Sequence, residues 1–193
     1  MLLLARSQPR VLNKVMLFLT SYIFLLRLPS EALPIVKGAV GVDSGEQASL
    51  VVQVDTVVLK LARRKNKLQG SSLLRKCWCA KCEFTCPVHV LGPYVEQFVV
   101  GEKLFGDTTA ATALLALREI LHVLAAPESN LYGTHDLRRG HARDLQAGGA
   151  SLREILDAGE WRSPAFLSYL DYEQLDADAV VEAHMDESED EDC

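Results

Sequence analysis

The first strong pattern along the chain is apolar. In VLNKVMLFLTSYIFLLRL, residues 11–28, hydrophobic side chains recur too densely for a half-exposed strand and over too long a run for a single one. The run predicts a core helix over residues 11–33, ending near Pro29 or Pro34 because proline has no N–H to continue the ladder. Its longest uncharged stretch, residues 15–26, has twelve residues, and Lys14 and Arg27 bracket it. A bilayer needs about 20, so no membrane span is expected. A secretory signal is disfavoured too, since no small-residue cleavage site follows. Further on, SLVVQVDTVVLKL (residues 49–61) is rich in valine and reads as a β-hairpin turning near Asp55 and Thr56. The polar run ARRKNKLQGSS (residues 62–72) then predicts a basic loop leading into a third strand, LLRKCWC.

From Pro87 the period changes from two to about 3.6. Helices are expected at about 88–100, 108–125, 135–147, 151–158, 164–171 and 173–185. Several ends carry capping chemistry. Gly148 and Gly149 can close the helix that begins at His135, Ser151 with Glu154 forms a capping box, and Ser163 with Pro164 suits an N-cap followed by the first helical position. The expected fold is α+β but mainly α: one domain with a leading helix, a small antiparallel sheet of about three strands and a helical remainder. No internal repeat is visible.

Charge changes this picture where it is uneven. The formal net charge is −6, yet from Asp171 to the end there are eleven acidic residues and no Lys or Arg. The preceding body holds all 20 basic residues against 15 acidic ones, a formal balance of +5. A body of that sign suits phosphate or nucleic acid. Residues 186–193 read as an acidic, disordered tail. Four of the five cysteines lie within ten residues and the fifth is terminal, which suggests a metal cluster or reduced thiols rather than a disulfide framework. An intracellular setting is therefore expected, the nucleus if the host is eukaryotic.

The densest candidate chemistry is in residues 133–172. His135 and Arg138 are spaced i, i+3, so both leave one face of a helix and can address one anion. The arginine fork suits two phosphate oxygens, and the imidazole beside it can donate a hydrogen bond or move a proton. After a Gly-rich break come Trp161 and, eight residues later, Tyr169. Cations, a proton carrier and a hydroxyl nucleophile together are what cleavage of a phosphodiester by tyrosine requires.

HDLRRGHA, then AGEWRS, then FLSYL resemble the C-terminal catalytic half of the tyrosine recombinases, the phage integrase family, and most of all its eukaryotic Crypton-like members. The resemblance implies a catalytic-domain fold of that family over residues 1–172, with residues 77–89 as a Cys/His-rich insert and residues 173–185 as a C-terminal helix. It implies DNA strand cleavage and rejoining through a 3′-phosphotyrosyl intermediate, in site-specific recombination or integration of a mobile element. His135 and Arg138 match the family's H-x-x-R pair, Trp161 its His-or-Trp position and Tyr169 its nucleophile, with Tyr172 as rival. The family's upstream arginine matches Arg27 in FLLRLPSEAL, one residue farther from Ser-Glu than in bacterial members. Its lysine, on a turn between strands, matches Lys65, or else Lys67.

In the implied mechanism Arg27 and Arg138 clamp the scissile phosphate while His135 and Trp161 contact its oxygens. Tyr169 attacks phosphorus, and Lys65 protonates the departing oxygen. No cofactor is required for catalysis. The implied partner is double-stranded DNA, bound by a homo-oligomer, a tetramer in this family. The 26 residues before Arg27 are too few for the family's N-terminal core-binding domain. The alternative is thus a catalytically idle DNA-binding or zinc-binding remnant.

CWCAKCEFTCPVH offers five candidate metal ligands. Thiolate and imidazole at such spacing favour tetrahedral zinc in a structural role. The expected set is Cys77, Cys79, Cys86 and His89, with Cys82 as the alternative.

Overall fold

The computed structural model describes residues 9–42, 45–64, 69–80, 86–161 and 164–171. Within them lie five α-helices and a four-stranded mixed sheet. The helices are α1 (Pro9–Ile23), α2 (Pro87–Val95), α3 (Ala110–Val123), α4 (Asp136–Ala147) and α5 (Leu152–Gly159). The strands are β1 (Val36–Lys37), β2 (Ser49–Val52), β3 (Thr56–Leu61) and β4 (Ser71–Lys76), adjacent in that order.

Helix α1 is the central element. Val15, Met16, Leu17 and Phe18 are all buried, so the helix is apolar on more than one face, as a helix surrounded by others must be. Its buried hydroxyls are satisfied locally: Thr20 donates to the Met16 carbonyl and Ser21 to that of Leu17, both at 2.8 Å. The helix stops well short of the expected residue 33. A continuous helix would drive the Pro29 ring into the carbonyl of Leu25. The chain instead turns at Leu25, whose φ is 52°, and resumes as a π-helical turn, Leu28–Ala32.

The expected hairpin and third strand form β2, β3 and β4, paired antiparallel with Val51 opposite Val58 and Val58 opposite Leu74. The sheet also has a strand the sequence reading lacks. β1 pairs parallel with β2, so the sheet is mixed rather than purely antiparallel. Two residues are too few to show any periodicity. Val57, Leu59 and Leu61 project into the core while Lys60 stays exposed. α2 packs across β2, β3 and β4.

Apolar burial divides between two clusters. The larger joins α1, the sheet, α2 and α3. The smaller gathers Leu25, Ala142, Leu152, Ile155, Phe166, Leu167 and Leu170. Leu25 is fully buried there. Burying it contributes about 1.5–3 kcal/mol, enough to offset a left-handed non-glycine residue at about 1–2 kcal/mol. α4 closes at Gly148 with Gly149 at φ 82°, and α5 begins with the Ser151–Glu154 capping box. α2 ends at Val95 rather than near 100, and residues 164–169 form a 3₁₀ turn, Pro164–Tyr169, rather than an α-helix. Among the described residues no helix is long and apolar enough to cross a membrane. The expected helix at 173–185 and the acidic tail at 186–193 lie outside the described residues.

Candidate active site and metal cluster

The segments that carry Arg27, His135, Arg138, Trp161 and Tyr169 meet where α1, α4 and α5 approach one another. His135 is the N-cap of α4 and already has helical dihedrals, so it sits one turn from Arg138 as the spacing predicts. Arg138 points inward and is only 2% exposed. Its NH2 donates to the Gly159 carbonyl at 2.9 Å, and its guanidinium carbon lies 4.6 Å from the centre of the Trp161 ring. NH1 is 3.7 Å from Glu31 Oε2. Among the described residues neither Nε nor NH1 has a hydrogen-bond acceptor. Burial brings the Arg138 pKa down to about 10 against the upward pull of Glu31, with Arg64 and Arg27 lowering it further. The group remains a cation at neutral pH.

Glu31 is the carboxylate beneath these cations and is 2% exposed. It accepts from the Arg27 backbone N–H at 2.8 Å, Arg27 NH1 at 3.1 Å, Arg64 Nε at 3.3 Å and Arg64 NH2 at 3.4 Å. Burial would raise its pKa, but Arg64, the Arg27 N–H and Arg138 together hold it below the usual carboxylate value. Arg27 itself stays partly open to solvent, at 31% of its side chain.

Tyr169 ends the 3₁₀ turn with its hydroxyl in hydrogen-bond contact with His135 Nε2. The two rings meet edge to face at 5.3 Å, and the Trp161 ring lies 6.1 Å from Tyr169 on another side. Burial and the nearby Arg138, Arg139 and Arg27 lower the His135 pKa, so its imidazole is neutral at pH 7. The backbone around Tyr169 is fastened to α4: Arg143 Nε donates to the Tyr169 carbonyl at 2.9 Å, and Gln146 pairs with both backbone groups of Asp171 at 2.9 Å. Gly159 is required beside Trp161, because a methyl group there would overlap the indole.

Lys65, Lys67 and the rival Tyr172 lie outside the described residues. The sequence reading left out Arg64, Glu160, Arg139 and Arg143, and gave Glu31 no role of its own. Glu31 stood within the R-L-P-S-E motif, but Arg64 had no visible signal. A basic run such as RRKNK reads as a solvated loop, whereas Arg64 is 4% exposed.

The cysteine segment forms a second, separate constellation. Cys77 follows β4, Cys86 caps α2 and His89 lies on the first turn of that helix. His89 Nδ1 is 3.0 Å from Cys79 Sγ, 3.4 Å from Cys86 Sγ and 3.6 Å from Cys77 Sγ, while Cys77 and Cys86 sulfurs are 3.6 Å apart. All four ligand atoms fall within 4.8 Å of one another, so the group can hold a metal ion. Cys82 lies outside the described residues.

No protein family, curated protein or solved structure was found to match the chain.

Proposed function

We propose that this chain cleaves and rejoins a strand of double-stranded DNA through a phosphotyrosyl intermediate, in the manner of the tyrosine recombinases. The observation that carries the proposal is the contact of the Tyr169 hydroxyl with a neutral His135, beside a buried Arg138 whose Nε and NH1 have no hydrogen-bond acceptor among the described residues. Leaving two nitrogens of a buried guanidinium short of an acceptor is expensive unless an anion completes the set. A phosphate can do so, and a phosphate there would also meet the nucleophile.

In the proposed step the Tyr169 oxygen bonds to phosphorus as its proton passes to His135 Nε2. The bond from phosphorus to the 5′ oxygen breaks, and Lys65 is assigned to protonate that oxygen. Arg27 and Arg138 offset the charge that grows on the non-bridging oxygens. Reversal by an incoming 5′ hydroxyl religates the strand without a cofactor. Recombination or integration of a mobile element, several copies acting together on DNA and a nuclear setting in a eukaryote follow from the same reading.

The Cys77, Cys79, Cys86 and His89 cluster is assigned to structural zinc. Bonds of about 2.3 Å to sulfur and about 2.0 Å to nitrogen place tetrahedral ligands roughly 3.5–3.8 Å apart. The two separations of 3.6 Å fall in that range, the Cys86 to His89 distance of 3.4 Å is just below it, and the Cys79 to His89 distance of 3.0 Å is clearly shorter.

The test is a nicked duplex that traps the cleaved strand, assayed for a covalent protein–DNA adduct. The wild-type chain should form the adduct and Tyr169→Phe should not, while Arg138→Ala should slow it by about 10²-fold or more. Absence of adduct on a broad set of duplexes would sink the enzyme reading. DNA binding without adduct would favour the idle remnant.

A further inference from the structure

Two helix ends lead into the site, and both turn on a residue other than glycine in the left-handed region. Leu25 has φ 52° after α1, and Glu160 has φ 48° after α5. Each closes with the same pair of bonds: Leu26 to Ser21 at 2.8 Å with Leu25 to Tyr22 at 3.1 Å, and Trp161 to Leu156 at 3.1 Å with Glu160 to Asp157 at 3.2 Å. Arg27 follows the first turn by two residues. Trp161 follows the second at once. Left-handed side chains persist only where their surroundings hold them, and they concentrate at functional sites.

Two arginines bridge these helix ends: Arg75 donates to the Ile23 carbonyl at 3.1 Å and the Ala158 carbonyl at 3.3 Å, and Arg64 reaches the two left-handed residues themselves. Arg64 NH2 lies 3.5 Å from the Leu25 carbonyl and NH1 2.7 Å from Glu160 Oε2. The same guanidinium holds Glu31, with Nε at 3.3 Å from Oε1 and NH2 at 3.4 Å from Oε2. It therefore grips the turn before Arg27, the turn before Trp161 and the carboxylate beneath Arg27 and Arg138. Ser71, at the start of β4, adds its hydroxyl to Glu160.

Charge gives Arg64 a second consequence. Arg27, Arg64, Arg138 and the neighbouring Arg75 are four cations against Glu31 and Glu160. The cluster is left with two net positive charges, which the negative charge of a phosphodiester would partly offset. Without Arg64 that excess falls to one, and the attraction for an anion weakens.

We propose that Arg64 is the positioning residue of this site, fixing both left-handed turns and Glu31 so that Arg27, Arg138 and Trp161 converge on one phosphate. The inference rests on the phosphoryl-transfer reading above for the identity of its anion. Lysine cannot replace arginine here, because an ammonium has no planar fork to reach three partners at once.

The experiment uses the full chain, with Arg64→Lys and Arg64→Met compared against wild type. Binding of inorganic phosphate is followed by the NMR signals of His135 and the Trp161 indole, and thermal melting is recorded alongside. Arg64→Lys should melt within a few degrees of wild type yet bind phosphate about 10-fold more weakly; a displaced contact can cost up to about 100-fold. Arg64→Met should lose the response. A merely structural arginine would lower the melting point and leave phosphate affinity of the folded protein unchanged, which overturns the proposal. So does wild-type phosphate affinity in a folded Arg64→Lys, or a wild-type pocket that ignores phosphate. If phosphate binds as expected but no DNA adduct forms, the chemistry fails and the role of Arg64 stands.

Discussion

Tyr169 and His135 come from segments 34 residues apart, yet the hydroxyl meets the ring nitrogen. Because burial and three arginines lower the His135 pKa, the neutral imidazole persists into mildly acidic solution. If His135 takes the tyrosine proton, the rate of adduct formation should rise with pH through an apparent pKa below the ordinary histidine value of about 6.5 and then level off. A rate profile centred above that value would remove His135 from the proton-transfer role. Glu31 makes the complementary prediction for stability. Its folded pKa is lowered, so its contribution is present above the unfolded value of about 4.3 and is lost as pH falls through the folded one. Glu31→Gln should abolish that acid-sensitive component. Denaturant melts should show a loss of about 3–5 kcal/mol near neutral pH, because three arginines lose their shared carboxylate.

At the scale of elements, the helix ends decide more than the helices. The apolar run at residues 11–28 announced α1, but the left-handed turn at Leu25 was hidden behind a run of leucines. A second core, invisible in the local pattern, is what stabilises that turn. The capping boxes at Thr109 and Ser151 form fully. Ser151 with Glu154 was legible because both partners lie within four residues. The Cys/His cluster joins the end of β4 to the start of α2. Metal removal should therefore loosen that junction first. Elemental analysis should find one zinc per chain, and a strong chelator should lower the melting midpoint by several degrees or more, as should Cys77→Ser. A metal-free protein with the same melting curve would dismiss the assignment.

For the whole molecule, the uneven charge should govern encounter with DNA. Residues 172–193 carry ten acidic side chains and no Lys or Arg, so their removal changes the formal net charge from −6 to +4. The shortened chain should bind duplex DNA more tightly at low salt, with affinity falling steeply as salt rises. Equal affinity with and without the segment, measured from 50 to 200 mM salt, would show that the acidic residues do not shield the body.

The sequence by itself determined most of the helices and the three antiparallel strands, the caps at Ser151 and Gly149, the pairing of His135 with Arg138 on one turn and the grouping of the metal ligands. Each depends on side chains a few positions apart, where backbone geometry alone sets what meets what. Only the tertiary structure decided that Glu31 lies beneath three arginines, that Arg64 is buried rather than solvated, and that β1 joins the sheet edge. Those outcomes rest on contacts between segments up to 107 positions apart, as for Glu31 and Arg138. A charge on a sequence has no sign of its future burial, because the cost of desolvating it is offset only by a partner that folding brings near.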